Sequence, residues 1–84
     1  MMSGGSATLS SLPNGSFALV KDIVAEGLTR RRLLDLGLVP GTKVEIVRRS
    51  PVGDPTAFNI RGAIIALRNE VASQVLVSPW DDNA

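Results

Sequence analysis

Cysteine and histidine are both absent from this sequence. Disulfide bonds, metal sites built on thiolates or imidazoles, and Cys or His catalysis are therefore excluded. Carboxylates can still bind a hard cation, but the eight acidic residues are scattered and form no Asp-x-Asp-x-Asp loop. No glycine-rich phosphate-binding motif occurs either. The sequence thus predicts a protein that is not an enzyme, with no catalytic residue, no metal site and no cofactor.

Aromatic residues are also few, and the net charge is small. The chain has one Trp, two Phe and no Tyr, and its net charge is +1. Nucleic-acid modules depend on phosphate neutralisation and base stacking, so this composition argues against a nucleic-acid partner. No apolar run approaches the roughly 20 residues that span a bilayer, and the N-terminus lacks the features of a signal peptide. We therefore expect a soluble cytoplasmic protein of one small domain, without direct membrane insertion.

The clearest local signal is a short helix that begins after Leu28. Thr29 can serve as its N-cap, because a threonine hydroxyl accepts a hydrogen bond from the free amides of the first turn. Leu28 before it can pack on Leu33 as a hydrophobic staple. The sequence therefore predicts a helix whose first turn carries three consecutive arginines, Arg30 to Arg32.

Stop signals follow the predicted helix closely. Gly37 lies where a left-handed cap residue is needed, and Leu38 can contact Leu33 across a Schellman turn. Pro40 prevents the helix from resuming, and Val39-Pro40-Gly41-Thr42 has proline and glycine at the two central positions of a type II turn. This turn is expected to lead the chain directly into a strand.

Five strand-like runs surround this helix. Their composition or period-two alternation favours short strands at these places: Phe17 to Val24, Lys43 to Arg49, Thr56 to Arg61, Ala63 to Leu67 and Val75 to Val77. Residues 68–74 change to a helical period, with Asn69 as a plausible cap. We predict a disordered leader at 1–8, a domain at 9–78 and a loose tail at 79–84. The fold class is mainly β with one inserted short helix, a small closed or partly open barrel.

Several of these segments together resemble the FeoA family. The resemblance is carried by the stretch from Arg31 to Thr42, Pro51 to Pro55, Ile60-Arg61-Gly62, Ala66-Leu67-Arg68 and the closing Val75-Leu76-Val77. It implies an SH3-like barrel that acts as a small cytoplasmic accessory protein in bacterial ferrous iron uptake. It also implies a partner, the membrane permease FeoB with its cytoplasmic GTP-binding domain. The family is associated with transition metal ion binding, whereas the residues of this chain predict none.

A related barrel forms the C-terminal domain of iron-dependent repressors. This chain lacks the helix-turn-helix and dimerisation segments that such repressors need, so a FeoA protein is the closer resemblance. The expected function is a non-enzymatic module that docks to and supports or regulates the FeoB permease, in the cytoplasm and at the membrane through that permease. The alternative is a detached SH3-like regulatory domain that senses a ligand or a protein partner.

The three arginines allow two interpretations. At the start of a helix the macrodipole is positive, which costs about 0.3 to 1 kcal/mol for each exposed cation. Their aliphatic stems can cover apolar surface while their charges pair with nearby acids: Asp22, Glu26 or Asp35. Alternatively, their guanidinium groups bind carboxylates of a protein partner. If so, replacing Arg30 and Arg31 by alanine weakens partner binding and leaves stability unchanged or slightly higher.

The remaining candidates for partner contact are apolar or lie in the proline-rich loop. Leucines and valines near loops can be ordinary exposed residues, or they can form one contiguous binding patch. The loop from Pro51 to Pro55 can be a simple turn or a stiff recognition loop. Eight residues form the full candidate set: Leu28, Arg30, Arg31, Arg32, Leu38, Val39, Val52 and Asp54.

The first testable prediction concerns metals. Fe²⁺ and Zn²⁺ are expected not to bind specifically, because every thiolate and imidazole ligand is absent and the carboxylates are dispersed along the chain. Isothermal titration calorimetry of the purified chain with each ion, against a metal-into-buffer control, measures this. Stoichiometric binding tighter than about 10 μM, or roughly −7 kcal/mol, would contradict the prediction.

Overall fold

The structure is a computed structural model that describes residues 7–80. Across these residues six strands and two helices follow one another along the chain. In chain order they are β1 (Ala7–Thr8), β2 (Phe17–Ile23), α1 (Gly27–Asp35), β3 (Lys43–Arg49), β4 (Thr56–Ile60), β5 (Ala63–Leu67), α2 (Asn69–Ala72) and β6 (Val75–Trp80). A single 3-10 turn, Leu9–Ser11, follows β1. The predicted mainly β fold with one inserted short helix is confirmed.

All six strands belong to one antiparallel sheet with the order β1-β6-β2-β3-β4-β5. The register shifts between Val20 and Asp22 in β2, and again between Ile46 and Arg48 in β3. Such bulges bend a strand and increase its twist, so the sheet curls around its apolar face. Val47 breaks the alternation of β3 because it lies at the second bulge.

The core fills the concave side of the curled sheet. Val44 and Ile46 of β3 are buried, and so are alternate residues of β4. These β4 residues are Thr56, Phe58 and Ile60. The 3-10 turn and α2 contact each other. Their fully buried side chains, Leu9 and Ala72, join the same cluster, so the core extends from the sheet to both short helical segments.

The predicted start of α1 is wrong by three residues. The helix begins at Gly27 with Glu26 as its N-cap, and Thr29 lies inside the helix. Gly27 has a φ of 62°, which glycine adopts with little strain, and this turns the chain into the helix before a Thr29 cap can form. Leu28 is 79% exposed and is therefore no staple on Leu33.

The predicted end of α1 is confirmed in detail. The amide of Leu38 donates to the carbonyl oxygen of Leu33 at 3.1 Å, and the amide of Gly37 donates to that of Leu34 at 2.9 Å. These are the two hydrogen bonds of a Schellman motif. Gly37 has a φ of 102°, and the cap brings Leu38 into the same buried cluster as Leu33.

The turn after α1 is also confirmed as type II. Gly41 has a φ of 94°, and the Thr42 amide donates to the Val39 carbonyl at 3.0 Å. The turn is tied to β2 by two further backbone bonds, from Gly41 N to Val20 O at 2.8 Å and from Val20 N to Thr42 O at 2.9 Å. It therefore places β3 directly beside β2.

Both ends of the predicted domain need correction. Ala7 and Thr8, assigned to the leader, form β1 and pair with Val77 and Leu76 of β6. At the other end β6 continues through Pro79 to Trp80 instead of ending at Ser78. β6 accommodates Pro79 in register with Ala18 of β2. The rest of the predicted leader and tail, 1–6 and 81–84, lies outside the described residues.

Gly37→Val is expected to lower the free energy of unfolding by about 1 to 3 kcal/mol, because a β-branched residue resists a positive φ. A Cβ at this position would also lie 2.6 Å from Cδ of Arg61. Gly53→Val is the matched control, since Gly53 has a φ of 92° but no non-neighbouring atom within 4 Å of the added Cβ.

Urea unfolding of wild type and both variants measures the difference. Gly37→Val is expected to lose more unfolding free energy than Gly53→Val, because only the Gly37 variant combines backbone strain with a steric clash. Unchanged stability of Gly37→Val, or a larger loss at Gly53, would show that α1 does not depend on this cap.

Candidate partner-binding surface

The three arginines of α1 have different roles. Arg30 Nη1 donates to the carbonyl oxygen of Ile23 at 2.7 Å and so ties α1 to the end of β2. Arg31 and Arg32 are exposed, and neither forms an ion pair with a carboxylate within residues 7–80. Because α1 begins at Gly27, Arg32 lies in the last turn, where the dipole favours a cation. The predicted place of Arg31 and Arg32 in the first turn is therefore wrong, whereas Arg30 lies at the end of that turn.

The four apolar candidates are not equivalent. Leu38 is 0% exposed, so its assignment to a contact surface is wrong, because the Schellman turn directs it into the core. Leu28, Val39 and Val52 are 79%, 36% and 87% exposed. They come from three separate segments: the first turn of α1, the turn after α1, and the β3–β4 loop. Each stays a predicted contact residue, but none of them lines the cavities described below.

The loop between β3 and β4 is held by the side chain of Asn69. This side chain donates through Nδ2 to the Gly53 carbonyl at 2.9 Å and accepts from Thr56 Oγ1 at 3.2 Å. Asp54 Oδ1 accepts from the Asn69 backbone amide at 2.9 Å. Arg68, and not Asn69, is the N-cap residue of α2. Asn69 thus fastens the proline-rich loop to α2, and Asp54 has a structural contact in addition to its predicted partner role.

A groove of about 310 Å³ lies between α1 and β5, and of the predicted contact residues only Arg32 lines it. Its apolar lining comes from α1, β5 and α2: Leu33, Leu36, Ile65, Leu67 and Val71. Two exposed arginines, Arg32 and Arg68, also line it, and neither has an ion pair within the described part of the chain. An apolar cleft with cationic groups beside it is suited to an amphipathic, acidic ligand.

Two shallower depressions border the same region. One, of about 300 Å³, contains Arg31, Leu34 and Asp35 on the exposed side of α1. The other, of about 310 Å³ and mainly apolar, lies on the outer face of β3, β4 and β5 and includes Pro51, Pro55, Ala57 and Ala66. Because Ala66 lines both this depression and the α1–β5 groove, strand β5 separates two apolar surfaces.

Comparison with known proteins identifies the family. Residues 7–79 match the family model described as FeoA domain. The chain belongs to the FeoA family. A relative from Porphyromonas gingivalis, the Fe(2+) transport protein A/Fe(2+) transporter FeoB fusion protein, is 32% identical over 76 residues. That match covers 90% of this FeoA chain and 9% of the relative, so the chain spans less than a tenth of the fusion protein.

Solved FeoA structures show the same fold. The FeoA protein of Chlorobium tepidum is 39% identical with a TM-score of 0.83, over 88% of this chain and 70% of that one. The FeoA protein of Stenotrophomonas maltophilia, solved in complex with zinc and described as a procaryotic SH3 domain protein, is 36% identical with a TM-score of 0.76, over 84% and 88%. The predicted family and the SH3-like fold are confirmed.

Residues 7–80 contain neither a membrane-spanning helix nor a cluster of metal ligands. No helix in residues 7–80 is long and apolar enough to cross a membrane. Within the same residues, no three acidic side chains gather into a group that could hold a metal ion. The expectation of no specific Fe²⁺ or Zn²⁺ binding stays a prediction for calorimetry.

Arg30→Ala is expected to destabilise this FeoA domain by about 0.5 to 1.5 kcal/mol, because the Ile23 carbonyl loses its charged donor. This revises the sequence-based expectation that removing Arg30 is harmless. Arg31→Ala removes the same charge from the next position of the helix without breaking a hydrogen bond within residues 7–80, and is expected to change stability by less than about 0.5 kcal/mol.

Chemical denaturation of the two single variants measures this difference. Equal unfolding free energies for Arg30→Ala and Arg31→Ala would show that the contact between α1 and β2 contributes nothing to stability.

Proposed function

We propose that this FeoA domain is a non-enzymatic accessory module that docks to and supports or regulates a FeoB-type ferrous iron permease. The observation that carries the proposal is the Porphyromonas gingivalis relative, in which Fe(2+) transport protein A and the transporter FeoB are one polypeptide. Fusion keeps two partners at a high effective concentration, and this benefits domains that act together. Where the two are not fused, the FeoA domain needs a surface of its own with which to bind the permease.

The geometry supports docking by apolar contact assisted by charge. The α1–β5 groove offers an apolar wall with leucine and isoleucine side chains, and burial of such surface stabilises a complex by about 25 cal/mol per Å² before the costs of association. Arg31 and Arg32 have no ion pair within residues 7–80, so their guanidinium groups are available to carboxylates of the permease. The candidate contact set is therefore centred on α1.

The proposal places the domain in the cytoplasm and at the membrane through the permease. The contact is with the permease's soluble GTP-binding domain or with its membrane part. The family's association with metal transport is compatible with a domain that binds no ion, because the ion is the cargo of the permease.

A second candidate function is a detached regulatory domain related to the C-terminal domain of iron-dependent repressors. The observation behind it is the likeness to a manganese-dependent transcriptional repressor, with a TM-score of 0.81 at 17% identity, over 89% of this chain and 41% of the repressor chain. At this identity the likeness concerns the fold alone. Binding to the permease favours the first function, whereas binding only to a separate regulator or ligand favours the second.

The test measures binding to the two parts of the permease separately. The chain is immobilised and titrated at about 0.15 M salt with the soluble GTP-binding domain and with the detergent-solubilised membrane part. One of the two is expected to bind saturably. Failure of both parts, and of the intact permease, to bind would overturn the proposed function.

The double variant Arg31→Ala/Arg32→Ala is expected to weaken this binding by roughly 2- to 30-fold, since two solvent-exposed ion pairs contribute about 0.2 to 1 kcal/mol each. The salt dependence of affinity should also decrease. Lys21→Ala is the control, because it removes an exposed charge from β2, three strands away from β5 in the sheet. Equal affinity of wild type and double variant would exclude these arginines from the contact.

A further inference from the structure

Strand β5 is an edge strand without the usual protection. It pairs with β4 on one side, and no other strand in residues 7–80 pairs with its other side. Edge strands commonly carry a charge, a proline or a bulge that discourages further pairing. The β5 sequence Ala-Ile-Ile-Ala-Leu has none of these, its register with β4 is unbroken, and Ile64 is 61% exposed. An exposed apolar edge of this kind marks an interaction site.

The register identifies the unpaired backbone groups. Arg61 and Gly62 form a two-residue hairpin turn, so Ile60 and Ala63 are a hydrogen-bonded pair. Hydrogen-bonded and non-hydrogen-bonded pairs alternate along an antiparallel ladder. The amides and carbonyls of Ile64 and Ala66 therefore point away from β4, towards the free edge of β5.

Both faces beside this edge are apolar. Ile65 and Leu67 face the α1–β5 groove, whereas Ala66 is in register with Ala57 on the outer face, beside the depression that contains Pro51 and Pro55. Successive side chains of an added strand point to opposite faces of the sheet. A strand laid along β5 would thus place alternate side chains in the groove and over the outer depression.

The charges around β5 are cationic. Arg61 and Arg68 flank the strand, and Arg32 lies across the groove. None of the three has an ion pair within the described part of the chain. Two copies paired antiparallel through β5 would bring the Arg68 end of one strand near the Arg61 end of the other, and like charges at such positions are destabilising. The charges favour a partner segment flanked by carboxylates over a second copy.

We infer that β5 is the docking edge of this FeoA domain, and that an extended segment of the permease adds to it as a further strand. The segment is apolar at alternate positions and carries Asp or Glu at its ends. Backbone hydrogen bonds to Ile64 and Ala66 hold it, and the groove and the outer depression select its side chains. The inference rests on the proposed function for the identity of the partner and specifies how the contact is made.

The decisive variant is Ile64→Pro. Proline removes the Ile64 amide, which faces the free edge, and leaves the hydrogen bonds between β4 and β5 in place. The variant is expected to bind whichever part of the permease the wild type binds at least about tenfold more weakly, because its ring obstructs the edge and one backbone donor is lost. Ile64→Val keeps the amide and the β-branched side chain and is expected to bind within about twofold of wild type.

Hydrogen exchange on the unmodified chain gives a second measurement that does not depend on a variant folding. In the free protein the amides of Ile64 and Ala66 are expected to exchange fast, whereas those of Ile65 and Leu67 are protected by β4. Saturating permease is expected to slow exchange at Ile64 and Ala66 by at least about tenfold. The amide of Thr8 in β1 serves as an internal reference, and its exchange rate should not change when the permease binds.

The outcomes separate the two proposals. If wild type binds the permease, but folded Ile64→Pro binds equally well or the Ile64 and Ala66 amides gain no protection, strand addition is wrong and the docking function stands. If wild type binds no part of the permease, the docking function fails and the strand inference fails with it. If sedimentation shows a wild-type dimer that Ile64→Pro dissociates, a second copy occupies the edge and the inference is overturned.

Discussion

The end of α1 closely approaches the β4–β5 turn, and this approach places the last turn of α1 beside the hairpin. Gly37 is buried where a Cβ would lie 2.6 Å from Cδ of Arg61 and 3.6 Å from Cγ2 of Ile60. With a Cβ at this position, the side chain of Arg61 would have to move. The Schellman bond to Leu33 fixes the last turn of α1, and Leu33 also lines the groove.

The stop signals of α1 are predictable from the sequence, whereas its N-cap and the features that depend on the rest of the fold are not. Gly37 and Gly41 were assigned correctly because a left-handed residue constrains only its own turn. The predicted end of the last strand before Pro79 is wrong, because β6 includes Pro79 in register with Ala18 of β2, and the sequence does not show this pairing. The predicted surface position of Leu38 is wrong because burial depends on where the cap directs the side chain.

The candidate surface was only partly predictable for the same reason. The run Ala63–Leu67 was recognised as a strand from its composition, but strand order decides whether a strand is central or at an edge, and composition does not report order. Arg30 and Arg31 are adjacent residues of the same type, so the sequence does not distinguish their roles. They have different roles in the structure because only Arg30 reaches the carbonyl of Ile23. Family membership, in contrast, can be predicted from short sequence motifs, because these motifs can be recognised without knowing how the chain packs.

The contacts around Asn69 have a consequence for how substitutions combine. Thr56 is 1% exposed, and its hydroxyl bonds to Asn69, whose amide group and backbone in turn bond to Gly53 and Asp54. Once one member of such a buried network is removed, the remaining groups have already lost part of their hydrogen bonding. The energetic effects of Thr56→Val and Asn69→Ala are therefore coupled, and their sum overestimates the effect of the double variant. The proline-rich loop and the single turn of α2 thus behave as one cooperative unit, although 14 residues lie between Asp54 and Asn69 along the chain.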